Sequence, residues 1–239
     1  MGYRYIGSKA RIAENIIEYI GEPNTNTGYF IDGFTGTGIV AKMASMNGWK
    51  VKINDMMYNA VVVATSQLLS IYDISFDKLG GYDNVIFLLN NETPIKGYIW
   101  KTYSPASKRY CGIERKYFTE ENAMKIDSIS NKIHYWKQKN IITENEFSLL
   151  ISILISAVNN IANIAGTYGC FLSKWTMQSQ NNIELKRMDL HSVKQDFISS
   201  NNDVFDVKSH KNDVVYFDPP YTKRQYASYY HILETISLG

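Results

Sequence analysis

Apolar and polar positions change their spacing twice along the chain, which divides it into three parts. In the first and last parts, short apolar runs that suit buried strands alternate with stretches of helical spacing. The elements predicted for the first part are a helix at residues 9–20, a strand at 29–32, a helix at 39–46, a strand at 51–53 and a helix at 60–69. A strand, a helix and a second strand in this order predict a parallel sheet with helices on its faces.

The middle part, residues 73–173, lacks this alternation. It is rich in Tyr, Asn, Lys and Ile, and it contains helix-like stretches at residues 120–139 and 144–165. We interpret it as an inserted, mainly helical subdomain within an α/β domain that comprises residues 1–72 and 174–239. The second stretch is strongly apolar, but the serines and asparagines within it favour a helix buried in the protein over a membrane span.

A glycine-rich loop, GFTGTG at residues 33–38, follows the first predicted strand, and Asp55 closes the second. Glycines let the backbone approach a nucleotide-type ligand, and a carboxylate at the second strand end can accept ribose hydroxyls. The spacing differs from that of dinucleotide sites, which suits S-adenosylmethionine because this cofactor has no pyrophosphate. Asp32 lies where it can receive the cofactor's ammonium. The loop alone is explained equally well as a tight turn without a ligand, and Asp55 favours the ligand.

The tetrapeptide Asp218-Pro219-Pro220-Tyr221 follows a strand predicted at residues 214–217. Methylation of an exocyclic amine is difficult because the nitrogen lone pair is delocalised into the ring. Asp218 and the Pro219 carbonyl can accept the two amine hydrogens and so stabilise the charge that develops on the nitrogen. The prolines stiffen the turn, Tyr221 can stack on the base, and the base must be flipped out of a duplex. A proline turn that merely ends a strand is the alternative.

These motifs and their order resemble the Dam-like, D12-class N6-adenine methyltransferases of bacteria and their viruses. The matching segments are residues 5–9, 30–38, 54–55 and 218–221. The resemblance implies a Rossmann-like S-adenosylmethionine-dependent methyltransferase sheet with an inserted target-recognition subdomain. It also implies methyl transfer to N6 of a flipped-out adenine at a specific site in double-stranded DNA, with a restriction endonuclease as a functional partner.

The resemblance extends the set of candidate site residues. It implies that an aromatic and a lysine near the N-terminus help to bind the cofactor and that an Asp-Phe pair packs on the cofactor's adenine, although a core Phe with a surface Asp explains that pair nearly as well. The predicted cofactor-binding residues are Tyr5, Lys9, Asp32, Gly33, Phe34, Gly36, Gly38, Asp55, Asp196, Phe197 and Asp218. The predicted catalytic residues are Asp218, Pro219, Pro220 and Tyr221, and no metal ligand is predicted.

Basic residues in the middle part are interleaved with tyrosines, which suits contacts to phosphates and stacking on bases. The predicted DNA-binding residues are Lys101, Lys108, Arg109, Arg115 and Lys116, together with Lys223 and Arg224 directly after the tetrapeptide. The interleaved tyrosines are Tyr103, Tyr110 and Tyr117. A solvated charged surface explains the first group equally well, and a polar helix start explains the second.

The composition of the 239-residue chain excludes some classes of protein but does not indicate a function. Its 25 basic and 23 acidic residues give a net charge of +2, which neither requires nor excludes nucleic acid. Cys111 and Cys170 have no metal-binding spacing and form no disulfide framework, so we expect reduced thiols in a cytoplasmic protein. The N-terminus lacks the apolar core of a signal peptide, and no membrane partner is expected.

The chain stops at Gly239, shortly after the tetrapeptide, where members of the resembled family usually continue with further strands. We therefore expect the C-terminal part of the sheet to be absent and one sheet edge to be exposed. Two other functions stay open: methylation of an amine in RNA or protein, which Asp218 and Lys9 disfavour, and DNA binding by a truncated relative without activity.

Overall fold

The computed structural model describes residues 7–25, 27–220 and 226–239. Its strands are β1 Tyr29–Asp32, β2 Lys50–Asn54, β3 Phe197–Ser200 and β4 Val214–Tyr216. Its helices are α1 Ala13–Ile20, α2 Ile39–Met46, α3 Tyr58–Leu68, α4 Tyr82–Asn90, α5 Tyr98–Tyr103, α6 Lys108–Cys111, α7 Glu120–Gln138, α8 Glu144–Ile161 and α9 Tyr226–Leu238. The predicted site residues that lie outside the described ranges are Tyr5, Tyr221, Lys223 and Arg224.

The four strands form one parallel sheet in the order β3-β2-β1-β4. The predicted α/β class is thus confirmed, and β1 and α2 have the predicted bounds. Helix α1 begins at Ala13, four residues later than predicted. The sequence pattern did not identify β3, because only its first two residues are apolar.

Two hydrophobic cores share helix α3. In the smaller core, α1, α2 and α3 pack against β1 and β2 through side chains such as Ile17, Val40 and Phe30. In the larger core, α3 packs together with α4, α5, α7, α8 and α9. The core therefore joins α8 in the middle part to α3 and α9 in the flanking parts, and the division into two domains stays a prediction.

The middle part is fully described by the structure. Residues 73–173 contain helices α4 to α8 and, throughout this described stretch, no strand. Helix α8 begins with a capping box, in which Thr143 and Glu146 each accept a hydrogen bond from the other's backbone N–H. Its side chains are buried along most of its length. No helix among the described residues is long and apolar enough to cross a membrane.

Candidate functional site

The carboxyl ends of β2, β1 and β4 meet at one edge of the sheet, where a cavity of about 280 Å³ opens. Asp32 ends β1, and its register partners are Ile53 of β2 and Tyr216 of β4. Asp55 directly follows β2, and Asp218 follows β4 by one residue. Because parallel strands bring their carboxyl ends together, all three carboxylates line the cavity.

The glycine loop crosses the strand ends and is fastened to both neighbours of β1. The Thr35 N–H donates to the Asn54 carbonyl at 2.9 Å, and the Gly33 N–H donates to the Tyr216 carbonyl at 3.1 Å. Gly38 has φ 74°, and a Cβ there would lie 2.6 Å from the Cα of Ala64 in α3. Gly38 does not line the cavity, so its role is to let the loop pass close to α3.

Asp55 fastens this loop to the start of α3. One carboxylate oxygen accepts the Gly36 N–H at 3.0 Å, and the other accepts the Met57 N–H at 2.9 Å. Burial raises the pKa of Asp55, and the two backbone donors oppose that rise. Because each carboxylate oxygen can accept more than one hydrogen bond, Asp55 retains acceptor capacity toward the cavity.

Asp32 is the most deeply buried of the three carboxylates, with 1% of its surface exposed. Its Oδ1 has no hydrogen-bond partner among the described residues. Burial, followed by the negative charges of Asp55 and Asp218, raises the pKa of Asp32 to about 7. A cationic group in the cavity would favour the ionised form and supply the missing partner.

Asp218 is paired with Lys9, whose Nζ lies 2.6 Å from Asp218 Oδ2. The same Nζ donates to the Gly7 carbonyl at 3.2 Å. Lys9 lies in the turn that precedes α1, so the N-terminal segment and the tetrapeptide converge on one cavity. Among its described lining residues, the cavity carries three carboxylates against one ammonium, which suits a cationic ligand and opposes a pyrophosphate.

Several predicted residues line this cavity together, and the sequence analysis missed others. The predicted lining residues are Lys9, Asp32, Gly33, Phe34, Gly36, Asp55, Asp218, Pro219 and Pro220. Five further lining residues lie in the matched segments without having been singled out, namely Gly7, Ser8, Thr35, Thr37 and Asn54. The lining residues that were missed are Ile39, Val40, Met56, Met57, Val204, Tyr216 and Tyr226. Ile39 and Met56 directly follow predicted residues and Tyr216 ends β4, so a position beside a motif or at a strand end was the available signal.

Asp196 and Phe197 were expected on the cofactor, and the structure corrects this. Phe197 is the first residue of β3 and pairs with Val51, so it lies at the amino end of the strand, away from the cavity. Asp196 forms an ion pair with Lys50 at 3.2 Å at that same end. On this side of the sheet, Val204, which follows the carboxyl end of β3, lines the cavity.

The predicted DNA-binding residues divide into exposed and engaged side chains. Lys108 and Arg109 of α6 are exposed, and their side chains have no ion pair or hydrogen bond within the described part of the chain. Lys101 lies over the exposed Tyr110 ring at 4.8 Å from its centroid. Lys116 forms an ion pair with Glu114 at 3.4 Å.

Three of the basic and aromatic residues of the middle part, Arg115, Tyr103 and Tyr117, stabilise the fold. The Arg115 guanidinium donates to the Thr102 carbonyl at 3.1 Å, which commits it to the fold of this segment. Tyr103 and Tyr117 are each only 7% exposed, so they cannot stack on a base as expected. Their rings contact each other and His231 of α9, so they fasten this segment to α9 instead.

Comparison with known proteins agrees with this geometry. The family model for D12 class N6 adenine-specific DNA methyltransferase matches residues 5–239. Type II methyltransferase M.FokI of Planomicrobium okeanokoites is 37% identical over 98% of this chain, and modification methylase StsI of Streptococcus sanguinis is 35% identical over 98%. Type II methyltransferase M.NlaIII of Neisseria lactamica is 31% identical over 98%.

The chain spans 37% of the length of M.FokI, 36% of StsI and 69% of M.NlaIII. No solved structure gives a significant match. The family match covers both the cavity-lining motifs and the helical middle part. The chain therefore belongs to the D12 class N6 adenine-specific DNA methyltransferase family.

Proposed function

We propose that this chain transfers a methyl group from S-adenosylmethionine to the N6 amino group of adenine at a specific site in double-stranded DNA. The observation that carries the proposal is that Asp218, Pro219 and Pro220 line the same cavity as Asp32 and Asp55. An acceptor for the amine and a cation-binding pocket are then adjacent, which this reaction requires.

The cavity suits S-adenosylmethionine in charge and in donor set. Asp32, with its unpartnered Oδ1, would hold the ammonium group, and Asp55 would hold the ribose hydroxyls. Lys9 and the wall around Phe34 would complete the pocket. When bound, the cofactor supplies an electrophilic methyl group on a sulfonium.

The chain's own contribution to the reaction centres on Asp218. A carboxylate has two acceptor oxygens, so the bond from Lys9 to Oδ2 leaves acceptor capacity for an amine hydrogen. The Pro219 carbonyl would accept the second hydrogen, and Tyr221 would stack on the flipped base. As positive charge develops on the nitrogen, these fixed acceptors stabilise it without reorganising.

We assign target recognition to residues 73–173 and phosphate contacts to Lys101, Lys108, Arg109, Lys116, Lys223 and Arg224. Support comes from α9, which begins at Tyr226 in the cavity lining and contacts Tyr103 and Tyr117 through His231. Five residues of helix span about 7.5 Å, so the basic segment is anchored close to the tetrapeptide.

Replacing both Lys108 and Arg109 with alanine should weaken DNA binding and flatten its salt dependence. Each phosphate contact contributes about −0.9 to the slope of log binding constant against log salt concentration. The slope of the double variant should therefore be less negative by about two. Fluorescence anisotropy with a DNA duplex across a salt series measures this. Lys139→Ala is the matched control, since Lys139 is exposed at the far end of α7, about 28 Å from the start of that helix. An unchanged slope in the double variant would contradict the assignment.

Asp55→Asn should weaken S-adenosylmethionine binding by roughly tenfold or more. The variant loses charge-assisted hydrogen bonds to the ribose, each worth about 1.5–3 kcal/mol. In addition, the asparagine NH₂ group would face one of the two backbone N–H groups that Asp55 accepts, so that two donors would lie against each other. Isothermal calorimetry measures the affinity. The control is Asp196→Asn at the other end of the sheet, which should bind like the unmodified chain; equal losses in both variants would remove Asp55 from the site.

The acceptor class is tested by incubating the chain with methyl-labelled S-adenosylmethionine and, separately, double-stranded DNA, RNA or protein. We expect label in DNA only, recovered as N6-methyldeoxyadenosine after digestion to nucleosides. Label in RNA or protein would favour the other amine methyltransferase classes. DNA binding without transfer would favour an inactive DNA-binding relative.

We further propose that the chain acts as the modification partner of a restriction endonuclease, as the names of the type II relatives suggest for those proteins. No physical contact with the endonuclease is required by this role. DNA methylated by the chain should become resistant to an endonuclease that recognises the same sequence.

A further inference from the structure

Glu234 caps a helix to which it does not belong. It lies on α9, and its two carboxylate oxygens accept the N–H groups of Tyr58 at 2.9 Å and Asn59 at 2.8 Å. These amides belong to the first turn of α3, where backbone donors have no partner inside their own helix. Met57, the residue before α3, provides no side-chain cap. The start of α3 is therefore capped from α9.

The start of α3 is also where Asp55 is held. Asp55 accepts the Met57 N–H at 2.9 Å with one oxygen and the Gly36 N–H of the glycine loop at 3.0 Å with the other. A continuous set of hydrogen bonds to backbone amides thus runs from Glu234, through the first turn of α3, to Asp55 and the loop. A shift of that turn would move the carboxylate of Asp55.

The charge of Glu234 also acts on Asp55. After burial, the negative charge of Glu234 is a further cause of the raised pKa of Asp55. Two carboxylates at one place repel each other, but both face the amino end of α3, where partial positive charge favours anions. The partial positive charge of this helix start therefore offsets the repulsion between the two carboxylates.

Helix α9 is itself held firmly. Leu233 and Ile236 are buried in the larger core, and the Ile236 carbonyl is hydrogen-bonded to the His134 ring at 2.9 Å. The first residue of α9, Tyr226, lines the cavity. Glu234 thus links α9, the helix that follows the tetrapeptide, to Asp55 at the end of β2.

We propose that Glu234 is a positioning residue of the cofactor site, which holds the first turn of α3 so that Asp55 presents its carboxylate to the cofactor. The inference rests on the proposed function, because that function assigns Asp55 to the cofactor. It predicts that the effect of Glu234 on affinity passes through Asp55.

The chain offers a matched control for this role. Asp127 of α7 does the same for α5, since its carboxylate accepts the N–H groups of Gly97 at 3.1 Å, Ile99 at 2.9 Å and Trp100 at 2.8 Å. None of these residues lines the cavity. Asp127→Asn therefore removes an equivalent helix cap without touching the route to Asp55.

The experiment compares Glu234→Gln, Asp127→Asn and the unmodified chain by calorimetric binding of S-adenosylmethionine and by urea unfolding. Both variants should lose stability, because both lose a charged helix cap. Only Glu234→Gln should also lose affinity, by about tenfold. In a double variant with Asp55→Asn, the affinity should fall no further than with Asp55→Asn alone, since the two residues act in series.

Three results would overturn the inference. The first is an affinity of folded Glu234→Gln within about twofold of the unmodified chain, where a tenfold loss is expected. The second is an equal loss of affinity in Asp127→Asn, and the third is a fully additive loss in the double variant. If the unmodified chain bound no S-adenosylmethionine, the proposed function would fail and this inference with it, which is distinguishable from all three.

Discussion

Asp218→Asn should slow methyl transfer by about 100- to 1000-fold while leaving S-adenosylmethionine binding within about threefold of normal. Asp218 is assigned to the target amine, so its loss acts on the chemical step, and removing one such fixed electrostatic contact costs about 100- to 1000-fold in rate. Asparagine keeps the shape of the side chain but removes the charge that faces the developing cation. Single-turnover transfer to DNA and calorimetric binding measure the two effects separately.

The control for this experiment is Asp206→Asn, which changes an exposed aspartate two residues after the cavity-lining Val204. It should transfer methyl groups at the normal rate. If Asp218→Asn instead lost cofactor binding and kept turnover, Asp218 would belong to the cofactor and the tetrapeptide would need another role.

Asp32→Asn should stabilise the ligand-free chain and remove its affinity for the cofactor. The pKa of Asp32 is raised from 3.8 to about 7. Between these values the unfolded chain releases the proton and the folded chain retains it, so stability falls as the pH rises from about 4 to 7 and is level above. At about 1.4 kcal/mol per pKa unit, ionised Asp32 costs the fold up to about 4 kcal/mol.

Urea unfolding at pH 5 and pH 8 tests this sign. Asp32→Asn should be more stable than the unmodified chain, and the gap should be wider at pH 8. A gap that narrowed with rising pH would show that ionised Asp32 stabilises the fold, contrary to its unpartnered Oδ1 and its two neighbouring carboxylates.

The same carboxylate should make cofactor binding depend on pH. An ammonium group binds the ionised form of Asp32, so affinity should rise as the pH approaches 7 and binding near pH 6 should release a proton. Calorimetry in buffers with different ionisation enthalpies detects that proton. Asp32→Asn should show neither effect, and proton release that persisted in this variant would assign it to another group.

The sequence was informative wherever one local rule decided the outcome. A short apolar run predicts a buried strand, and parallel strands bring their ends together, so Asp32, Asp55 and Asp218 could be expected at one edge before any coordinates. The glycine loop was also predictable from a local rule, because glycines directly after a strand allow the close backbone approach that such a loop requires. Lys9 came only from the family resemblance, since an isolated lysine carries no such rule.

The errors arose where tertiary packing decided. The polar second half of β3 concealed a strand, so the pattern gave no signal for Val204 after its end. The resemblance implied a cofactor contact for Asp196 and Phe197, but the register of β3 places them at its amino end. Tyr103 and Tyr117 have the spacing of a stacking surface, but their contacts with α9 bury them. The Glu234 cap joins groups that are distant in the chain, and local sequence reasoning has no signal for it.

The most direct test of the central claim is a crystal structure of the chain with S-adenosylmethionine. We expect the ligand's ammonium at Asp32, its ribose hydroxyls at Asp55 and its methyl group directed toward Asp218. A ligand bound in another cavity, or bound here in the reverse orientation with its ribose at Asp32, would contradict the proposed site.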